Sequence, residues 1–305
     1  MDNGRLNSVA EDCQIHRVAT IGTFDGVHRG HQYVVEQVVS LARQRGLEAM
    51  VVTFSNHPLQ VLREGFVPQL LSLKEEKVER LERTDIDRIA LLEFTPELAR
   101  MSAREFMQRV LVEQLGVQVL LIGYDNHFGH DRKGFEDCVG YGKELGMEVV
   151  ACDCLTAGGD ISSTAVRCAL QEGDIERANG MLGYEYSLQG KVVAGFQNGR
   201  KLGYPTANLL VDAEKLIPEN GVYLVRSDRG YGMLNIGTRP TLHNGRQQSI
   251  EVHLFDFEGD LYGQTLCIHL LRHLRKEREF DSLSALEAQL KQDEEECRRV
   301  LRIHN

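Results

Sequence analysis

The chain has 305 residues, 42% of them hydrophobic and 26% charged, which is enough to bury a full core and to make about two domains. Its formal charge of −10 argues against a nucleic-acid partner, which needs a basic face, but not against nucleotides, whose phosphates are met locally by backbone N–H groups. No run approaches the roughly 20 apolar residues of a bilayer span, and Met1 to Gln14 is polar and acidic rather than a signal peptide, so no membrane partner and a cytoplasmic location are expected.

From Arg17 to about Gly183, short β-branched runs alternate with amphipathic stretches, the pattern of a doubly wound α/β half with helices on both faces of a parallel sheet. A first strand is expected over Val18–Thr23. Val34, Val35, Val38, Leu41 and Ala42 then recur at helical spacing until Gly46 closes the helix. Strands follow at Ala49–Phe54 and Arg88–Glu93, and Ser102 and Glu105 form a capping box that opens a helix carrying Phe106, Val110 and Leu111. Val117–Ile122 and Glu148–Cys152 complete the sheet. After Gly183 the period falls to two, with strands at Tyr186–Val193, Ala207–Leu210, Val222–Arg226, Tyr231–Asn235, Ile250–Phe257 and Thr265–Leu271. Six short strands suggest a small closed antiparallel barrel. A last helix begins after Ser282 and keeps Leu283, Leu286, Leu290 and Cys297 near one face. The domains are expected to be residues 1–183 and 184–305. The seven cysteines show no CxxC spacing and read as reduced thiols, and nothing in the sequence bears on oligomeric state.

In the first half, Gly22 to His31 follows a strand and opens a helix, aiming backbone N–H groups and the positive helix end at one spot. Gly22, Phe24, Asp25 and Gly30 belong to this window, and His28 and His31 bracket Gly30 at HxGH spacing. Their imidazoles can donate to phosphate oxygens as charge builds on an α-phosphorus. Three further loops sit at strand ends: one with His57, one with Asp125, Asn126, His127 and Phe128, and one from Ile161 to Arg167. Ser163 and Thr164 can cap the helix there, and Arg167 lies one turn on, within reach of a phosphate.

In the second half, Gly195–Asn208 places Gly195, Gly199, Arg200, Lys201, Gly203 and Pro205 ahead of a Thr-Ala-Asn turn, a phosphate cradle followed by two neutral oxygen ligands. Thr206 and Asn208, two apart on an extended segment, share a face and suit Mg²⁺. Glu251 lies on an apolar strand, with His253 and Phe255 on its face and Ile250, Val252 and Leu254 on the other. If that face lines the barrel mouth, Glu251 can accept a proton from a hydroxyl attacking ATP; if it faces solvent, it is a surface glutamate.

Together these motifs resemble the bacterial bifunctional riboflavin kinase/FMN adenylyltransferase family. Gly22–His31 is similar to its HxGH loop, Ile161–Arg167 to its ISSTxIR motif, and Gly199–Asn208 to its GRxLGxPTAN signature. Asn235–Thr241, Leu261–Gly263 and Arg275–Phe280 follow in the family's order. The pattern is departed from at Asn56, Asn126–His127 and Ala194. The resemblance implies a Rossmann-like nucleotidyltransferase domain followed by a six-stranded barrel with a C-terminal helix, and two ATP reactions in series: riboflavin to FMN, then FMN to FAD with release of pyrophosphate. It implies that Glu251 is the kinase base, that Thr206 and Asn208 hold Mg²⁺, and that Arg275 and Phe280 lie near the flavin. It further implies that His28, His31, Ser163, Thr164 and Arg167 hold the triphosphate, while His57, Asp125, Asn126 and Phe128 touch FMN or adenine. A nucleotidyltransferase of another substrate and a flavin-sensing protein are the competing readings.

Overall fold

Strands β1 (Arg17–Ile21), β2 (Glu48–Phe54), β3 (Arg88–Leu92), β4 (Val117–Ile122) and β5 (Glu148–Ala151) form a parallel sheet in the order β3-β2-β1-β4-β5. The computed structural model describes residues 16–123, 128–153, 161–194, 203–240 and 246–303. Successive strand residues are buried on opposite faces, as a sheet covered on both sides requires. On one face Val18, Val51, Val119 and Leu121 pack with Val35, Val38 and Ala42 of α1 (Arg29–Arg45). On the other, Ala19, Val52, Leu120 and Ile122 pack with Phe106, Val110 and Leu111. Helix α1 ends at Gly46, whose φ of 66° is the left-handed cap conformation.

Helices α2 (Pro58–Leu62), α3 (Lys74–Glu82), α4 (Pro96–Arg100) and α5 (Ala103–Phe106) follow, and α5 runs on as a π-helical stretch over Met107–Gln114. The capping box at Ser102 and Glu105 is formed. Helix α6 (Phe135–Leu145) precedes β5. Strand order reverses at β1, which has β2 on one side and β4 on the other, so the crevice opens at the carboxyl end of β1.

Contacts divide the chain into two compact units, Met1–Ser163 and Thr164–Asn305. The second begins with α7 (Ser163–Gln171) and α8 (Ile175–Leu182). These helices are bonded to the barrel: Asn179 Nδ2 donates to Leu270 O at 2.9 Å, and Glu219 N donates to Leu170 O at 3.0 Å. The contact division therefore falls before the change of period at residues 183/184.

Strands β6 (Ser187–Val193), β7 (Ala207–Val211), β8 (Gly221–Ser227), β9 (Gly230–Pro240), β10 (Arg246–Leu254) and β11 (Thr265–Lys276) close an antiparallel barrel in the order β10-β7-β6-β11-β8-β9. Helix α9 (Leu283–Ile303) covers part of its outer wall, with Cys297 and Val300 against Val222, Leu224, Met233 and Phe255. Leu283, expected on the buried face, is 71% exposed. Gln289 and Asp293 are buried there instead, as partners of Arg278, just past β11, and Arg275 of β11. Among the described residues no helix is long and apolar enough to cross a membrane.

Strand β9 passes so close to β10 that a Cβ on Gly232 would lie 2.3 Å from His253 O. Gly232→Ala must therefore push two paired backbones apart. The expected cost is about 1–3 kcal/mol or more, read as a lower thermal midpoint of the barrel.

Candidate active sites

In the first unit the β1–α1 loop is shaped by its own side chains. Phe24, Gly26 and Val27 have φ of 50°, 81° and 36°, and Phe24 and Val27 are buried beneath the loop. Such positive values in non-glycine residues are sparsely populated and persist only where the surroundings hold them. Here the hold is visible. Both carboxylate oxygens of Asp25 accept from Leu71 N, at 2.9 and 3.1 Å, one of them also accepts from Ser72 N at 3.0 Å, and Gly26 N donates to Ser72 Oγ at 2.9 Å. Asp25, grouped with the phosphate contacts in the sequence, is thus an anchor of the loop through its carboxylate.

His28 caps α1, its Nδ1 accepting from His31 N at 3.3 Å, and its ring stacks on that of His31 with centroids 3.7 Å apart. Phe24 closes the other side of His31 at 4.9 Å. His31 Nδ1 is buried and has no hydrogen-bond partner among the described residues. Burial, the adjacent His28 and the Lys77 ammonium hold His31 well below the ordinary histidine range. A Cβ on Gly30 would meet the His28 ring at 3.2 Å and Ile161 O at 3.3 Å, so glycine keeps this spot open between the histidines and the loop before α7. A Cβ on Gly22 would meet Phe24 at 3.2 Å. Ser163, the last residue of this unit, donates from Oγ to Asp25 O at 3.0 Å; Thr164 and Arg167 belong to the second unit.

The supporting loops differ more from expectation. Asn56 pairs with the backbone of Phe94, donating to its O at 3.0 Å and accepting from its N at 2.8 Å, and so continues the β2–β3 pairing past the strand ends. His57 caps α2, its Nδ1 accepting from Leu59 N at 3.1 Å. Phe128, taken as a flavin contact, is 7% exposed and belongs to the hydrophobic core, because its backbone bridge with Lys133 turns the ring inward. Asp125 and Asn126 lie outside the described residues, as do Gly195, Gly199 and Arg200.

Lys77 was not singled out by the sequence. It is buried, and its Nζ donates to Thr23 O at 3.1 Å and Phe54 O at 2.6 Å. Its only signal was a lysine on the inner side of a helix otherwise rich in exposed charge.

In the second unit, register places five residues in one row across the barrel wall: Arg275 opposite Val222, Val222 opposite Asn235, Asn235 opposite Glu251, and Glu251 opposite Asn208. Directly paired residues share a face, and Val222 is among those covered by α9. The Glu251 face is therefore the outer wall beside the last helix, neither the barrel interior nor open solvent, and Glu251 is half-buried there. Thr206 Oγ1 donates to Glu251 Oε2 at 3.2 Å. Thr206 and Asn208 thus lie on the Glu251 side of the wall.

His253, which alternation put on the Glu251 face, donates from Nδ1 to Pro205 O at 2.8 Å and packs edge-on against Tyr204. It holds the Pro205–Thr206 turn in place. Gly203 has a φ of 79°, the left-handed turn that this position needs. Beside Thr206 opens a cleft of about 460 Å³, lined by Val192, Val252, Leu254, Phe257 and Leu261. At the far end of the row, Arg275 makes a forked bond to buried Asp293 of α9, Nη2 to Oδ2 at 2.7 Å and Nε to Oδ1 at 3.0 Å. Phe280 lies under the guanidiniums of Arg278 and Arg275, at 4.6 and 5.8 Å.

A family model described as FAD synthetase matches residues 10–165, and one described as riboflavin kinase matches residues 182–301. The bifunctional riboflavin kinase/FMN adenylyltransferase of Escherichia coli is 37% identical over 296 residues, which span 95% of this chain and 94% of that protein. Those of Listeria monocytogenes and Pseudomonas fluorescens are 36% identical over 93% and 92% of the two chains, and 39% identical over 90% of each. A crystal structure described as a macrolide-efflux protein from Streptococcus pneumoniae is similar with a TM-score of 0.85, at 32% identity over 93% of this chain and 94% of that one. With both models matched in order and identity sustained over nearly the whole length, the chain belongs to the bifunctional riboflavin kinase/FMN adenylyltransferase family.

Proposed function

We propose that the family's two reactions divide between the two units, with the barrel making FMN and the doubly wound unit converting it to FAD. The functional boundary then falls near residues 183/184, at the start of the span matched by the riboflavin kinase model and after the end of that matched by the FAD synthetase model. The observation that carries the kinase assignment is the bond from Thr206 to Glu251, whose strand neighbours on the same face of the barrel wall are Asn208 and Asn235. In this reading the Glu251 carboxylate takes the proton of the ribityl 5′-hydroxyl as that oxygen attacks the γ-phosphorus, and ADP leaves. Arg275 and Phe280, braced by Asp293, flank the flavin, and the cleft beside Thr206 takes the nucleotide.

Thr206 and Asn208 offer neutral oxygens beside a single carboxylate, and no cluster of three or more His, Cys, Asp or Glu suits a metal among the described residues. That donor set fits Mg²⁺, which binds through few protein oxygens and completes its shell with water and phosphate. When bound, Mg²⁺ supplies neutralising charge for the β- and γ-phosphates.

In the first unit, a phosphate oxygen of FMN attacks the α-phosphorus of ATP and pyrophosphate leaves. His28 and His31 donate to the phosphate oxygens, Gly30 leaves room for them, and Ser163 stands beside them on the same unit. An unpartnered buried nitrogen such as His31 Nδ1 is uncommon in a finished structure and fits a site completed by its ligand. His57, Asp125 and Asn126 remain the candidates beside FMN. ATP, riboflavin, FMN and FAD are the partners in this reading, and the cytoplasm, where ATP is supplied, is the location.

The test is incubation of the purified protein with riboflavin, ATP and Mg²⁺, with products followed by chromatography. FMN appearing first and FAD after it is the expected result. FMN alone would assign the first unit to another acceptor, and neither product would remove both assignments.

A further inference from the structure

Lys77 is 8% exposed, and the two carbonyls it binds, Thr23 O and Phe54 O, lie at the carboxyl ends of β1 and β2. Its ammonium group therefore sits under the loop that presents His28 and His31. A buried cation is costly unless another charge compensates it. Both acceptors found for Lys77 are neutral, and the acid whose charge reaches it, Asp25, has its oxygens on the backbone N–H groups of Leu71 and Ser72. The underside of the phosphate loop thus keeps a positive charge that the protein only partly balances, at the place where a triphosphate arrives.

We propose that Lys77 is a positioning residue for adenylyl transfer, its ammonium fixing the Thr23–Gly26 backbone and supplying attraction for the triphosphate of ATP. The inference rests on the assignment of adenylyl transfer to the first unit. The titratable groups that face Lys77 are Asp25 from the loop and His31 from α1, with His28 stacked on His31. Burial pushes Lys77 down to about 8, against the opposing pull of Asp25, and the lysine charge in turn helps to keep His31 unprotonated. Preorganised charge of this kind acts on a phosphoryl centre without reorganising during the reaction.

The test compares the wild type with Lys77→Arg and Lys77→Met, measuring FMN-to-FAD conversion and riboflavin phosphorylation on the same protein. For the wild type, kcat/KM for ATP in FAD formation should fall above about pH 8, because the lysine loses its proton there and this profile reports groups of the free enzyme. Lys77→Arg keeps its charge at every accessible pH and should move that alkaline limb up by more than one pH unit. Lys77→Met should lower kcat/KM for ATP by about 10- to 100-fold at pH 7, an interaction of about 1.4–2.8 kcal/mol, and raise the NMR titration midpoint of His31, with FMN formation unchanged. A purely structural lysine would lower the yield of folded protein without moving the alkaline limb. An unmoved limb in folded Lys77→Arg, which retains the charge, overturns the inference alone. Absence of FAD formation in the wild type overturns the assignment beneath it as well.

Discussion

Glu251→Gln is expected to reduce FMN formation by about 10²–10⁴-fold, the range for loss of a general base, while FMN-to-FAD conversion proceeds at the wild-type rate. The substitution is chosen for what it preserves. Gln is nearly isosteric, its amide oxygen can still accept from Thr206 Oγ1, and it keeps the pairing with Asn208 and Asn235. What it removes is the ability to take a proton from the attacking hydroxyl. The loss should therefore lie in kcat, with KM for riboflavin and ATP little changed. A residue that only held metal would behave differently, because raising Mg²⁺ would then recover much of the rate. Retention of FMN formation within about tenfold, or recovery by Mg²⁺, would remove Glu251 from the role of base.

Why this residue was ambiguous in the sequence is physical. A period of two says which residues share a face, and it grouped Glu251, His253 and Phe255 correctly, but it carries no information on what covers that face. The cover is α9, some 30 residues further on, which buries Val222 and Phe255 with Cys297 and Val300 and bonds Arg275 at the end of the row. The loop between β1 and α1 was legible for the opposite reason. Its glycines and the HxGH spacing are local, and the cap made by His28 and the closing turn at Gly46 are local too. At Asn56, His57 and Phe128 the sequence did not show the backbone partners these residues have: Phe94, Leu59 and the bridge to Lys133. Polar residues near a strand end look alike in sequence whether they await a ligand or finish a turn. Lys77 was hidden by distance, since the carbonyls it binds lie 54 and 23 positions before it.

His31→Ala should abolish FAD formation from FMN, by at least about 10²–10³-fold, and leave riboflavin phosphorylation intact. The magnitude follows from one lost donor to the phosphate oxygens, together with the loss of the ring that stacks on His28 at 3.7 Å and packs against Phe24 at 4.9 Å. The protonation state sets a second expectation. Burial, His28 and Lys77 lower the proton affinity of His31, so in the free enzyme the ring is neutral at pH 7 and donates through one N–H. If a neutral donor is what the reaction uses, kcat/KM for adenylyl transfer stays level from about pH 8 down to 6.5, the ordinary histidine value, and falls only below it. If a charged imidazolium were required, the rate would climb as pH dropped through the same range, which would overturn this view of His31. Stability follows the same sign. A histidine whose folded affinity for protons is depressed contributes fully above the unfolded value of about 6.5 and loses that contribution as pH falls through its folded value. Wild-type protein should therefore lose thermal stability below about pH 6.5 more steeply than His31→Ala, and parallel curves for the two would place the titrating group elsewhere.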